Sequence, residues 1–132
     1  MKKNYVYFVY AFVILLYGCS CSDYGKNLGE GYFYRFEAKD LTDILCERSN
    51  SGEIPANVIA YDYNHQYIIA KQKPKLPPDP LYSKEYIYLN GSDSVYYWLI
   101  IKKEHCVLGP MNLDEFKMAK AKYNVPDDLK LE

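Results

Sequence analysis

The chain has 132 residues, 17 acidic and 16 basic side chains, and a formal net charge of −1. Near-neutral charge with lysines scattered along the chain excludes binding to nucleic acid through a basic surface, and the length fits one domain rather than two. Aromatic residues make up 17%, and sixteen residues are tyrosine, so large side chains with a polar tip must build much of the core and surface.

Lys2 and Lys3 precede an apolar run from Tyr5 to Tyr17, which Gly18 and Cys19 close. A membrane-crossing helix needs roughly 18 or more apolar residues, so thirteen are too few for a permanent span. A charged start, an apolar middle and a small-residue exit are the parts of a secretory signal. The Leu16-Tyr17-Gly18-Cys19 junction resembles the lipobox of bacterial lipoproteins, which implies removal of residues 1–18 and acylation of the Cys19 thiol. Each buried methylene contributes about 0.8 kcal/mol, so two or three acyl chains would hold a small domain to a membrane almost permanently. A simple secreted protein or an uncleaved anchor is the alternative reading. Ser20 rather than an aspartate follows the cysteine, which points to the outer membrane if the cell has two. Cleavage would leave 114 residues and remove Lys2 and Lys3, moving the net charge from −1 to −3. A chain of that size can form a core without obligatory disulfides.

Glycines at positions 25, 29 and 31 among polar residues make residues 19–31 read as the lipidated cysteine followed by a flexible tether. From Tyr32 to Ala38 the side chains alternate with period two, predicting a strand. Ile44 to Glu47 is a candidate second strand, with a short helix over Leu41 to Cys46 competing, and Ser49-Asn50-Ser51-Gly52 is a turn. Val58 to Tyr61 and Tyr67 to Ala70, flanking Asn64-His65, predict a hairpin. Pro77, Pro78 and Pro80 remove amide donors, so that segment must be a surface loop or a covering strap, the loop being preferred. Tyr86 to Leu89 reads as a weak strand before the Asn90 to Ser94 turn. Tyr96 to Ile101 is apolar enough to be a central strand buried on both faces. Cys106 to Leu108 would pair with it, and Gly109-Pro110 would stop the hairpin. Asn112 and Glu115 have capping-box spacing for a C-terminal helix that Asn124 and Pro126 end. The sum is an α+β domain over residues 32–132: an antiparallel meander of about five strands with one helix packed on it.

Ile54-Pro55 before Val58-Ile59-Ala60-Tyr61, then Tyr67-Ile68-Ile69-Ala70, Tyr97-Trp98-Leu99, and Gly109-Pro110 before Glu115-Phe116 occur in that order. The pattern resembles a family of small bacterial lipoproteins that carries a domain-of-unknown-function label. The resemblance would span nearly all of the mature chain, and it implies an architecture and a location without an activity.

With Cys19 acylated, Cys21, Cys46 and Cys106 remain. Export to an oxidising compartment makes a bridge possible, with Cys46 and Cys106 the natural pair, but buried free cysteines acting as small hydrophobes are the preferred reading. No cysteines or histidines stand at metal-ligand spacing, and no cofactor is implied. Asp62, His65, Glu104 and His105 are the groups worth testing as acids or bases, but both histidines fall in turns and no nucleophile elbow is present. Twelve tyrosines lie after the signal, and Tyr61, Tyr63, Tyr67, Tyr86 and Tyr88 are the candidate contact surface. Two functions follow from these residues. One is a non-catalytic, membrane-anchored lipoprotein that binds a protein partner outside the cytoplasm, for example as an inhibitor or an immunity factor. The other is a binder of small molecules or glycans that uses the tyrosine-rich face. An enclosed pocket above roughly 300 Å³ would favour the second and an open aromatic patch the first.

Overall fold

A computed structural model describes residues 24–48 and 50–132. Among the described residues seven strands form two antiparallel sheets, and one helix follows them. Strands β1 (Tyr24–Gly29), β2 (Tyr32–Ala38) and β3 (Leu41–Cys46) lie in the order β1-β2-β3. Strands β4 (Val58–Tyr63), β5 (Tyr67–Gln72), β6 (Tyr96–Ile101) and β7 (Cys106–Met111) form the second sheet in chain order, followed by helix α1 (Leu113–Lys122). The α+β class therefore holds, with seven strands in two sheets in place of a meander of about five. Among the described residues no helix is long and apolar enough to cross a membrane.

The two sheets meet where β3 passes β4: Ile44 exchanges backbone hydrogen bonds with Ile54, and the Thr42 hydroxyl donates to the Val58 carbonyl at 2.8 Å. Between them lies a core of Leu28, Tyr32, Ile44, Ile68, Trp98 and Ile100. A second core, on the other face of the four-stranded sheet, joins Ile69 and Leu99 to Phe116, Val125 and Leu129. Ile68 and Ile69, like Leu99 and Ile100, thus serve opposite cores, which is why β5 and β6 are continuously apolar. The helix starts as expected: Asn112 Oδ1 accepts from the Glu115 amide at 2.9 Å, and Glu115 Oε2 accepts from the Asn112 amide at 2.8 Å.

The second strand holds and runs over Leu41–Cys46, which excludes the competing helix there. Three expectations are corrected. The tether reading fails from Tyr24 onward, because Tyr24–Gly29 is β1 and Leu28 is fully buried. Two of its three glycines, Gly29 and Gly31, flank the tight β1–β2 turn at φ of 91° and 86°, while Gly25 lies within β1 opposite Arg35. Tyr86 to Leu89 keeps period two but joins no ladder: Tyr86 and Tyr88 turn inward while Ile87 and Leu89 are exposed. Finally, Gly109 and Pro110 sit inside β7. Gly109, at φ 145°, lies so close to Trp98 that a Cβ there would be 2.5 Å from the indole.

The proline-rich segment is a covering strap, not a free loop. The Tyr82 hydroxyl donates to Asp43 Oδ2 at 2.7 Å and accepts from the Ala56 amide at 3.0 Å. The Ser83 hydroxyl donates to Glu53 Oε2 at 2.7 Å, and the Tyr86 ring packs edge-on to Trp98. Trp98 Nε1 donates to Gln72 Oε1 at 2.7 Å, while Gln72 Nε2 donates to the Tyr88 hydroxyl at 3.0 Å, so the strap is bonded into the core.

Burial pushes the Tyr86 phenol up to about 12. Burial raises Tyr32 and Tyr82 further still; the Asp43 carboxylate adds to the rise at Tyr82. A phenol whose folded pKa lies above its ordinary value of 10 keeps its proton longer in the native state than in the unfolded chain. Its stabilisation is therefore complete below pH 10 and is lost as the pH climbs toward 12. Burial lowers Lys102, which acts in the opposite sense at and below its ordinary 10.5. Urea unfolding midpoints are expected to fall between pH 10.5 and 12, and a midpoint that stays flat across that range would contradict this.

Candidate functional site

Strand β4 is an edge of the four-stranded sheet. Asn57 exchanges hydrogen bonds with Lys73, and the Asn64 amide donates to the Tyr67 carbonyl. Antiparallel alternation, with the bulge between Val58 and Ala60, then points the backbone groups of Tyr61 and Tyr63 away from β5. The Tyr63 amide is taken by Asp62 Oδ1 at 2.9 Å, while the amide and carbonyl of Tyr61 face outward. Along this edge runs a groove of about 550 Å³, lined by Tyr34, residues 58–62 and the chain segment with Asp128, Lys130 and Glu132. Asp62 holds that second wall in place, since its Oδ2 accepts from the Lys130 amide at 2.9 Å.

Tyrosine rings floor the groove and continue beyond it. Tyr34 stacks on Tyr61 at 4.6 Å and Tyr61 on Tyr63 at 6.4 Å, carrying the row from the three-stranded sheet onto the four-stranded one. Lys26 Nζ stands 5.2 Å from the Tyr63 ring centre, and the neighbouring Tyr61 and Tyr63 phenols favour its ammonium form. Burial raises both Tyr34 and Tyr61, which keeps their hydroxyls protonated donors. The site therefore offers stacking surface, a peptide group at Tyr61 with no backbone partner among the described residues, and carboxylates on one wall.

Of the five tyrosines singled out from sequence, the structure brings together only Tyr61 and Tyr63. Tyr67 packs in the helix-side core and donates to the Tyr123 carbonyl at 2.7 Å; Tyr86 and Tyr88 pin the strap. Tyr34, Lys26 and Asp128 were not singled out. Period two on β2 marks Tyr34 as facing one side, but nothing local says that β4 lies opposite.

Asp62 is a structural acceptor, and His65 and Glu104 are exposed in turns, so the four tested acid–base groups do not converge. His105 stacks on Tyr32 at 5.5 Å, with Arg48 Nη1 3.0 Å from its Nε2 and Cys46 Sγ 4.0 Å from its Nδ1. Arg48 can only donate, so Nε2 accepts and the ring hydrogen sits on Nδ1, facing the sulfur. A base must have a free lone pair toward its nucleophile, and here it is used on arginine. Cys46 and Cys106 are free thiols. Cys46 packs against the inter-sheet core, and Cys106 opens β7 opposite Ile101. The possible Cys46–Cys106 bridge is not formed, and the free-thiol reading holds. Among the described residues no three His, Cys, Asp or Glu side chains form a metal cluster. Cys19 lies outside the described residues.

No curated protein and no solved structure matches the chain. The sequence pattern of one protein family matches residues 29–132, from the end of β1 to the last residue, and so takes in both cores, the strap and the groove. The chain belongs to that family, described as Protein of unknown function (DUF3997).

Proposed function

We propose that the protein is a lipoprotein, anchored outside the cytoplasm by acyl chains on Cys19, whose domain binds a protein partner without catalysis. The observation that carries the anchor is the Lys2-Lys3 start, the thirteen-residue apolar run and the Gly18-Cys19 junction, five residues ahead of β1. The groove beside β4 supports the binding role, since an extended segment could pair with the Tyr61 backbone and lay side chains on Tyr34 and the exposed Ile59. The Tyr34–Tyr61 stack would equally suit a sugar ring, which keeps a glycan as the second reading.

The anchor is tested by intact mass and detergent partition. The native product is expected to begin at Cys19 with added acyl mass and to enter the detergent phase, whereas Cys19→Ala stays aqueous. Retention of residues 1–18, or equal partition of the variant, would refute it. For the binding role, a photo-reactive benzoyl-phenylalanine at Tyr61 should yield a protein adduct in native membranes that Tyr34→Ser abolishes. A carbohydrate adduct would favour the second reading.

A further inference from the structure

Pairing registers place one set of chain positions at a single end of the molecule. Tyr24 pairs with Phe36, Phe36 with Thr42, Val58 with Gln72 and Gln72 with Tyr96, while Thr42 bonds Val58 across the sheets. Both ends of the strap emerge there too: the Lys75 amide donates to the Ala56 carbonyl, the Tyr88 hydroxyl meets Gln72, and the Asn90 amide donates to the Tyr96 hydroxyl. This end gathers four of the eight exposed large apolar side chains among the described residues, while Leu81, 85% exposed, lies elsewhere on the strap beside Cys46 and Glu47. Ile87 is 80% exposed, Leu89 86%, Leu76 52% and Tyr24 55%. The opposite end carries the polar turns at Glu30, Asn64 to Gln66 and Lys103 to Glu104.

Tyr24 also begins the first strand, so the apolar end is the end at which the chain arrives from Cys19. Five peptide steps separate Cys19 from Tyr24, a reach of roughly 17 Å when fully extended. Six-residue strands such as β5 make the sheet roughly 20 Å long. An anchor at Cys19 therefore lacks the reach to turn the domain over and set its far end on the bilayer. We propose that the Tyr24 end is a lipid-docking face, with Ile87 and Leu89 entering the headgroup and acyl boundary and Leu76 and Tyr24 flanking them. This rests on the acylation of Cys19. It explains why a strap pinned by inward tyrosines turns Ile87 and Leu89 to solvent in the isolated domain. It also orients the molecule, with the His105 end held away from the membrane.

The test uses the acylated full-length product, purified from membranes and placed in phosphatidylcholine vesicles carrying brominated acyl chains. Leu89→Trp and Ile87→Trp report on the docking face, and His65→Trp on the far end; Trp98 is buried and gives a constant background. Bromine quenching is expected to remove roughly half the added fluorescence at 87 and 89 and almost none at 65. If the protein floats with the vesicles but 87 and 89 are no more quenched than 65, the docking face is wrong and the anchor stands. The docking face is equally wrong if those two probes change only in native membranes, where a protein would then cover them. If the protein fails to float, the acylation reading falls and the docking face with it.

Discussion

Gly109→Ala is expected to destabilise the domain by about 4 kcal/mol or more, well outside the range of ordinary surface substitutions. Two independent costs combine at this residue. Its φ of 145° is a conformation that side chains on L-residues rarely adopt, and its missing Cβ would sit 2.5 Å from two indole carbons of Trp98. The indole has no room to retreat. It is fully buried, donates to Gln72, and meets the Tyr86 ring edge-on at 4.9 Å. Trp98→Leu alone should cost roughly 3 kcal/mol as a large-to-small core change. In that background, however, Gly109→Ala should cost less by about 1–3 kcal/mol, because the overlap is relieved and only the backbone cost remains. Urea unfolding followed by circular dichroism of the two single variants and the double variant measures the coupling. Strict additivity would show that the close approach to Trp98 is not what demands glycine here.

How much of this was legible in the sequence depends on the range of the interaction. The helix, its Asn112–Glu115 capping box and the Val58–Lys73 hairpin were readable because their signals lie within a few residues. The double burial of β6 was readable because a run without polar residues has no wet face to offer. Gly109-Pro110 misled, since the pair is ordinarily punctuation; its reason for being there is a side chain eleven residues earlier, across a β-hairpin. Residues 24–29 misled for the opposite reason: glycines serving a tight turn have the composition of a linker, and only Leu28 hints at burial. For the groove, Tyr61 and Tyr63 were found through tyrosine content alone, and that signal could not separate them from Tyr67, Tyr86 and Tyr88. What distinguishes them is that β4 is an edge strand and that the Tyr34 ring of β2 reaches it across the junction of the two sheets. Both are facts of sheet order, set by contacts far apart in the chain. For the cysteines, the reading of Cys46 and Cys106 as free thiols holds.

Asp43→Ala is expected to cost about 3–5 kcal/mol and to free the strap from the sheet before the domain unfolds. The carboxylate has no exposed surface and makes three bonds: from Arg35 Nε at 2.9 Å, Arg35 Nη2 at 2.6 Å and the Tyr82 hydroxyl at 2.7 Å. Its removal leaves the guanidinium, which stays charged because arginine does not deprotonate in proteins, with Glu37 as its remaining ion-pair partner among the described residues. It also leaves the Tyr82 hydroxyl accepting from the Ala56 amide with no acceptor of its own. Asp43→Asn keeps the shape and an acceptor oxygen for Tyr82, so its loss should be smaller, roughly half that of the alanine variant. The strap supplies a local readout separate from global stability. Lys84 is exposed beside Ser83, and trypsin under native conditions should cut there faster in Asp43→Ala than in the parent. Tyr82→Phe, which removes one bond and leaves the ion pair, should speed that cut while costing about 1 kcal/mol globally. Were Lys84 equally protected in all three proteins at matched global stability, the strap would be held by Glu53, Gln72 and Trp98 alone, and the buried carboxylate would serve only to join β2 to β3.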